Sequence, residues 1–311
     1  MRTIDYGRIF IPQDHGLDYC KSPQALVFGD RVRIFFSYCV KDGLKLKSRV
    51  GFVDLDKGFK SILKVSKEVI SDGDLGTFDE HGIFPFSPFV DHNGDICALT
   101  TGWNRKQSVS TETAIGLARS EDGGDSFARV GSGPVLAADL NEPFLVCDGF
   151  VIKRQSGDYV MFYIYGTGWD VYEGSDVPER TYKIAMAYSD DLLNWKRDHR
   201  QIIPEKDKGE AQALPCVLKV GDKWHMFFCY RHTVGFRDDP EKGYRLGYAY
   251  SQNLKDWVRE DTALPTPDGE WCKDMQCYPN AFMMDGQVFL LYNGNRFGKE
   301  GFGLLRLEDL N

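Results

Sequence analysis

The sequence predicts an all-β chain, a single five-bladed β-propeller over residues 1–311 with four antiparallel strands per blade and a ring closed by the N-terminal strand. Three observations carry this expectation. Five hairpin-like segments recur at near-constant spacing, a third strand follows each at a similar delay, and the fifth repeat stops one strand short while the start of the chain offers a match. The composition is compatible: of 311 residues, 42% are hydrophobic and 27% charged, enough for a large core and unlike disordered, collagen-like or coiled-coil chains. All-β folds of this length often form one domain, and no linker or low-complexity segment interrupts the repeats.

The hairpins come first. Their markers are Pro23, Pro88, Gly149, Pro215 and Pro279, separated by 65, 61, 66 and 64 residues. Each segment runs from an apolar stretch through a polar turn (Gly29-Asp30, Asn93-Gly94-Asp95, Gly157-Asp158, Gly221-Asp222, Asp285-Gly286) into an aromatic strand. The third strands carry a small residue at one place: Gly51, Gly116, Ala185, Gly247 and Gly303. Three continue into Ser-x-(Asp/Asn) turns ending in an aromatic, Ser120 to Phe127, Ser189 to Trp195 and Ser251 to Trp257. Trp195 and Trp257 read as structural pegs between blades. The outer strands are expected at Val69-Ile70, Val135-Leu136 and Ile202-Ile203. Ile9-Phe10-Ile11-Pro12 is similar to Gln201-Ile202-Ile203-Pro204, and Pro12 precedes Pro23 by the same 11 residues that separate Pro204 from Pro215. A strand near residues 8–12 would therefore complete the last blade and remove two exposed edges.

Charge and cysteine usage narrow the function. With 38 basic and 46 acidic residues the net charge is −8, and no basic patch is visible, so no nucleic-acid partner is expected. No run approaches 18 apolar residues, and Asp5 and Arg8 sit where a signal peptide would place its apolar core, so a cytoplasmic chain with no membrane partner is expected. The eight cysteines form no C-x-x-C pair and read as free buried thiols of a reducing compartment. The six histidines show no ligand-like pairing, so neither metal nor cofactor is expected, and His225 reads as core. There is no phosphate-cradling loop and no nucleophile elbow.

In a propeller the segments entering the innermost strands ring one channel mouth. The residue before each marker is Ser22, Ser87, Asp148, Leu214 or Tyr278, and Asp18, Glu210 and Asp274 stand five residues before theirs. Gln212 and Gln276 stand three before; the second repeat offers Asp79-Glu80-His81 instead, and the third Glu142. Carboxylates converging on one mouth suit glycosidic bond cleavage, where one acid protonates the leaving oxygen and a second activates water or attacks. Repulsion between close carboxylates raises one pKa and supplies the proton donor. Trp103-Asn104-Arg105, Arg231, and Asn293, Asn295 and Arg296 follow second strands, and their amides, guanidiniums and aromatic faces suit sugar hydroxyls or an anionic substituent.

On these residues the chain resembles the five-bladed propeller glycosidases of glycoside hydrolase families 43, 32, 68, 117 and 130. The strand signals are Gly221-Asp-Lys-Trp-His-Met-Phe-Phe228 and Leu246-Gly-Tyr-Ala-Tyr-Ser251 through Trp257. Phe78-Asp79-Glu80-His81-Gly-Ile-Phe-Pro85, Glu210-Ala-Gln212-Ala-Leu-Pro215 and Tyr292-Asn293-Gly-Asn295-Arg296-Phe-Gly298 resemble an uncharacterised bacterial glycosyl-hydrolase-like subgroup. The resemblance implies acids entering blades one, three and four. Asp148 matches the blade-three Asp that tunes pKa and orients the sugar, and Glu210 is the nearest counterpart of the blade-four acid, three residues further upstream. In blade one Ser22 stands where the family has Asp, and Asp18 is the nearest substitute. The function expected is a glycosidase, or a glycoside phosphorylase or transglycosidase, with Glu210 as donor, Asp148 and Asp18 beside it, and a carbohydrate or sugar-containing small molecule as partner. The alternative is a propeller that binds carbohydrate, or serves as a scaffold, after losing its catalytic pair. Ser120 to Phe127 also fits the Asp-box of sialidases, a structural turn that argues for a propeller alone.

Overall fold

A computed structural model describes residues 1–172 and 177–310. Strand β1 (Arg2–Phe10) opens the chain, and five four-stranded antiparallel sheets form a ring of blades. Blade 1 is β2 (Lys21–Val27), β3 (Arg31–Asp42), β4 (Lys45–Asp56) and β5 (Ile62–Ser66). Blade 2 is β6 (Ile83–Val90), β7 (Ile96–Arg105), β8 (Thr111–Arg119) and β9 (Ala128–Arg129). Blade 3 is β10 (Val146–Lys153), β11 (Tyr159–Asp170), β12 (Glu179–Ser189) and β13 (Lys196–Arg197). Blade 4 is β14 (Glu210–Val220), β15 (Lys223–His232), β16 (Arg245–Ser251) and β17 (Val258–Arg259). Blade 5 is β18 (Cys277–Met284), β19 (Gln287–Asn293) and β20 (Phe302–Glu308), completed by β1 with Arg2 opposite Glu308 and Phe10 opposite Phe302. The closing strand thus lies earlier than residues 8–12. Pro12 has no N–H to donate to a ladder and starts a short 3-10 turn, Pro12–His15.

Five separate apolar clusters hold the ring, one at each interface between neighbouring blades. Phe10 of β1 packs with Phe36 and Phe302 in the cluster joining blades 5 and 1, so the closing strand supplies core as well as hydrogen bonds. The Ser-x-(Asp/Asn) turns are built as the sequence suggests. Ser251 Oγ accepts the Leu254 N–H at 2.9 Å, and the Trp257 indole N–H donates to the Leu254 carbonyl at 3.1 Å. That places Trp257 edge-on to Phe162 of blade 3, centroids 5.9 Å apart, as an inter-blade peg. His225 is buried, bonded through Nδ1 to the Tyr248 hydroxyl at 2.8 Å, and burial lowers its pKa to about 4, which is core behaviour. The small residues of the third strands are there because the chain crosses them closely: a Cβ at Gly116 would lie 2.5 Å from Phe78, and one at Gly303 2.6 Å from Trp271.

The outer strands differ from expectation. They lie at Ile62–Ser66, Ala128–Arg129 and Lys196–Arg197, each upstream of the apolar pair expected to form them. Val69, Leu136, Ile202 and Ile203 are instead buried at the start of the strap that leaves the blade: the Phe127 N–H donates to the Val69 carbonyl at 2.7 Å, the Ile202 N–H to the Ile184 carbonyl at 3.0 Å, and Leu136 forms an isolated antiparallel bridge with Ile115. These apolar pairs signal burial, and here burial is achieved without a continuous ladder. All eight cysteines are free thiols, six of them buried. No helix among the described residues is long and apolar enough to cross a membrane.

Candidate functional site

Each inner strand has a register shift near its start, between Lys21 and Gln24, Ile83 and Phe86, Cys147 and Phe150, Ala213 and Cys216, and Cys277 and Asn280. In four blades the bulged residue is the one before the marker, and it is left-handed: Ser22, Asp148, Leu214 and Tyr278 have φ of 52°, 58°, 48° and 57°. Left-handed backbone costs a non-glycine residue about 1–2 kcal/mol, and bulges re-aim side chains. Here the strained residues gather at the axis of the ring.

Lys21, Phe84, Asp148, Leu214 and Tyr278, one from each blade's inner strand, line a two-level depression at that axis. The outer level is a cavity of about 460 Å³ and the inner one a recess of about 80 Å³, sharing Phe84, Thr113, Arg180, Tyr182, Tyr244 and Tyr278. A side cleft of about 370 Å³ adjoins the outer level through Tyr19, Phe236, Arg237 and Phe297.

Asp148 lies in the recess, 7% exposed. Its N–H donates to Thr101 Oγ1 at 3.0 Å, and its carboxyl accepts the Leu214 N–H at 3.0 Å. Burial among apolar neighbours outweighs that hydrogen bond and the attraction of Arg180, and it raises the Asp148 pKa to about 7. Among the described residues it is the one carboxyl lining either level of the mouth. Beside it the Arg231 Nε–H is shared between the hydroxyls of Tyr182 at 3.1 Å and Tyr244 at 3.2 Å, which lie 2.5 Å from each other. The guanidinium stacks 3.7 Å over the Phe236 ring.

The remaining expected site residues are distributed as follows. Trp103 and Arg231 line the outer level, while Asp274, Asn295 and Arg296 line the side cleft, where Asn295 Oδ1 accepts the Asp274 and Met275 N–H groups and Arg296 pairs with Glu300. Asp18 is exposed outside all three spaces. Gln212 and Gln276 are buried and donate to strap carbonyls, of Ile203 and Cys272 respectively. Asn293 accepts the Ser22 N–H and donates to the carbonyls of Cys20 and Gly301. Asn104 bonds His81 and the Thr77 carbonyl, Arg105 pairs with Asp42, and Glu80 accepts the Gly76 N–H.

Glu210 and Asp79 belong to a device the repeat reading did not anticipate. Glu210, 3% exposed, pairs with Arg259 at 2.7 Å; Glu142 pairs with Arg197 at 2.6 Å; Asp79 pairs with Arg129 at 2.6 Å. Each Arg is the second residue of its blade's outer strand and also donates to a strap carbonyl, of Pro204, Ala137 or Ser71. The acid therefore clasps the incoming strap to the outer edge of the blade, and Glu210 does not reach the mouth. The signal was in the sequence as aromatic-x-Arg: Phe127-Ala-Arg129, Trp195-Lys-Arg197 and Trp257-Val-Arg259. A second overlooked signal lies three residues before the small residue of the third strand, where Ser48, Thr113, Tyr182 and Tyr244 all line the mouth. No cluster of three or more His, Cys, Asp or Glu suited to a metal occurs among the described residues.

This architecture is that of the glycoside hydrolase-like five-bladed propellers. A structure described as "Glycoside hydrolase" superposes with a TM-score of 0.74 at 17% identity, covering 99% of this chain and 92% of that one. A thermostable family-43 glycoside hydrolase gives 0.66 at 15% identity, covering 94% and 90%. No family model matches. The chain belongs to the family of uncharacterized protein MT1551 of Mycobacterium tuberculosis (strain CDC 1551 / Oshkosh), to which it is 34% identical over 97% of its own length and 98% of the relative's. Uncharacterized protein Rv1502 of strain ATCC 25618 / H37Rv is 33% identical over the same shares. A shorter similarity, 25% over 39% of this chain and 40% of the other, links it to the 1,2-beta-oligomannan phosphorylase of Thermoanaerobacter sp. (strain X514).

Proposed function

We propose that the chain is a carbohydrate-active enzyme that works on a glycosidic bond in the channel mouth, with Asp148 as the acid that protonates the leaving oxygen. The observation that carries this reading is a carboxyl, the one lining the mouth among the described residues, buried in a largely apolar, tyrosine-rimmed recess on the axis of a glycoside hydrolase-like propeller. A proton donor must hold its proton near the working pH, and the burial of Asp148 supplies that condition. Tyrosine and tryptophan faces with a few fixed polar groups suit a sugar ring, and the side cleft leaves room for a further sugar unit. Glu210, closed into its pair with Arg259, is left to hold the strap.

The test is Asp148→Asn assayed on glycosides with poor and with activated leaving groups. Turnover of the poor ones is expected to fall at least a hundredfold, that of activated ones much less, and sugar binding to persist. Wild-type rates on both would remove Asp148 from the chemistry. One observation favours a second reading, a non-catalytic sugar-binding propeller: among the described residues no second carboxylate lines the mouth to activate water or attack. Binding without turnover across furanosides and pyranosides would support it.

A further inference from the structure

The mouth is cationic in an acidic protein. Lys21, Arg180, Arg231 and Arg237 line its outer level, although the chain carries a net −8. Among these, Arg237 is neutralised by Glu179. Lys21 is held 4.8 Å over the Tyr19 ring and 5.6 Å over Phe84, and Arg180 5.5 Å over Trp169 with one N–H on Ser110 Oγ at 3.3 Å. Neither pairs with a carboxylate among the described residues. Their aromatic neighbours place these charges without cancelling them.

Arg231 makes the stronger case. It is 2% exposed, yet among the described residues its partners are two tyrosine hydroxyls, the Phe236 ring and the carbonyls of Arg180, His232 and Thr233, all of them neutral. The same fold shows how it otherwise treats an arginine drawn inside: Arg33 holds Asp54, Arg197 holds Glu142 and Arg259 holds Glu210. A buried cation without a counter-charge is costly. The protons of the neighbouring tyrosine pair leave one donor unused among the described residues. The Arg231 Nε–H fills a lone pair on each hydroxyl of Tyr182 and Tyr244, and one hydroxyl proton closes the bond between them. The other hydroxyl proton has no acceptor among the described residues, and both tyrosines line the recess. The cluster thus presents one polarised O–H donor, backed by a full positive charge, beside Arg180.

We propose that the sugar taken by this mouth carries an anionic group, carboxylate or phosphate, seated between Lys21, Arg180 and the Tyr182–Tyr244 pair. Arg231 is a positioning residue that acts through the tyrosines. This rests on the carbohydrate reading above and adds the charge of its substrate.

The test is a binding titration of the full chain with matched probes: glucuronate and galacturonate against glucose and galactose, the 6-phosphates of glucose and mannose against the free hexoses, and inorganic phosphate alone. At least a tenfold preference for the acidic member of one pair is expected, weakening with salt. Lys21→Gln and Arg180→Gln should each lower that preference about tenfold, the affinity for the acidic sugar falling far more than that for its neutral partner. Tyr182→Phe should do the same in part. Arg231→Lys, which keeps the charge, should retain more of the preference than Arg231→Gln, with a melting curve recorded for each so that misfolding is separated from lost recognition. Neutral and acidic sugars bound equally would overturn the anionic substituent and leave the carbohydrate reading standing. Phosphate bound while every sugar is refused would overturn the carbohydrate reading. A neutral glycoside cleaved only in the presence of phosphate would make the anion a co-substrate and overturn the proposal as stated.

Discussion

Replacing Asp148 by asparagine should flatten part of the pH dependence of stability, by an amount that follows from its burial. The carboxyl is 7% exposed, accepts one hydrogen bond from the Leu214 N–H, and faces Arg180, Cys147, Tyr182, Tyr244 and Tyr278 in the recess. Burial lifts its pKa from 3.8 to about 7. Between those values the folded protein binds a proton that the unfolded chain has released. The stability this group contributes is therefore full below the unfolded value and is lost as pH rises through the folded one. At 1.36 kcal/mol per pH unit, the loss over roughly three units is on the order of 4 kcal/mol. Asparagine keeps the shape and an acceptor for Leu214 but never ionises. Urea melts of both proteins at matched pH cancel every other titrating group. The variant should gain about 3 kcal/mol on the wild type between pH 4.5 and 8.5, with a plateau above neutrality. Parallel curves would show that Asp148 ionises freely, which would also remove its qualification as a proton donor near pH 7.

Glu210→Gln should act on stability and spare the sugar. It leaves Arg259 with Asp261 alone, so a loss of about 2–3 kcal/mol in urea is expected with ligand affinity unchanged; lost turnover at full stability would return Glu210 to the reaction. Removing residues 1–10 strips β1 from β20 and Phe10 from its cluster, of which the Phe10 side chain alone accounts for about 3–5 kcal/mol. The shortened protein should melt far lower and aggregate through the bare β20 edge, and an unchanged melting curve would refute the closure.

The ring was readable because it repeats. Marker spacing, hairpin turns and the match between the first residues and a later repeat are one-dimensional facts, and the blades follow them closely. The outer strands were displaced because Val69-Ile70 and its counterparts are apolar and mostly β-branched, which signals burial, while the true outer strand at Ala128–Arg129 has no alternation to announce it. The site was harder to read for a geometric reason. Side-chain direction at the mouth depends on left-handed residues at bulges, and Ser22, Leu214 and Tyr278 are not residue types that advertise a positive φ. Counting back from the marker therefore picked out Asp148, which lines the recess, but also collected Glu210, whose side chain turns outward to Arg259. Tyr182 and Tyr244 were missed because acids were sought on the inner strands, whereas the second wall of the mouth comes from the third strands.

The pairing of β1 with β20 also dictates an order of events at the ribosome. Residues 2–10 emerge before any of the blades, yet their partners at 302–308 follow all the other strands, so the outermost strand of blade 5 must wait until blades 1 to 4 have been made. Until then blades 1 to 4 can each assemble from contiguous chain, but the cluster that needs Phe10 together with Phe282 and Phe302 cannot. A circular permutant that joins the present termini and opens the chain between Phe10 and Lys21 would give every blade four consecutive strands and end that wait. It should refold faster than the native order of residues while keeping the same mouth, because none of the mouth-lining residues on the inner strands would change blade.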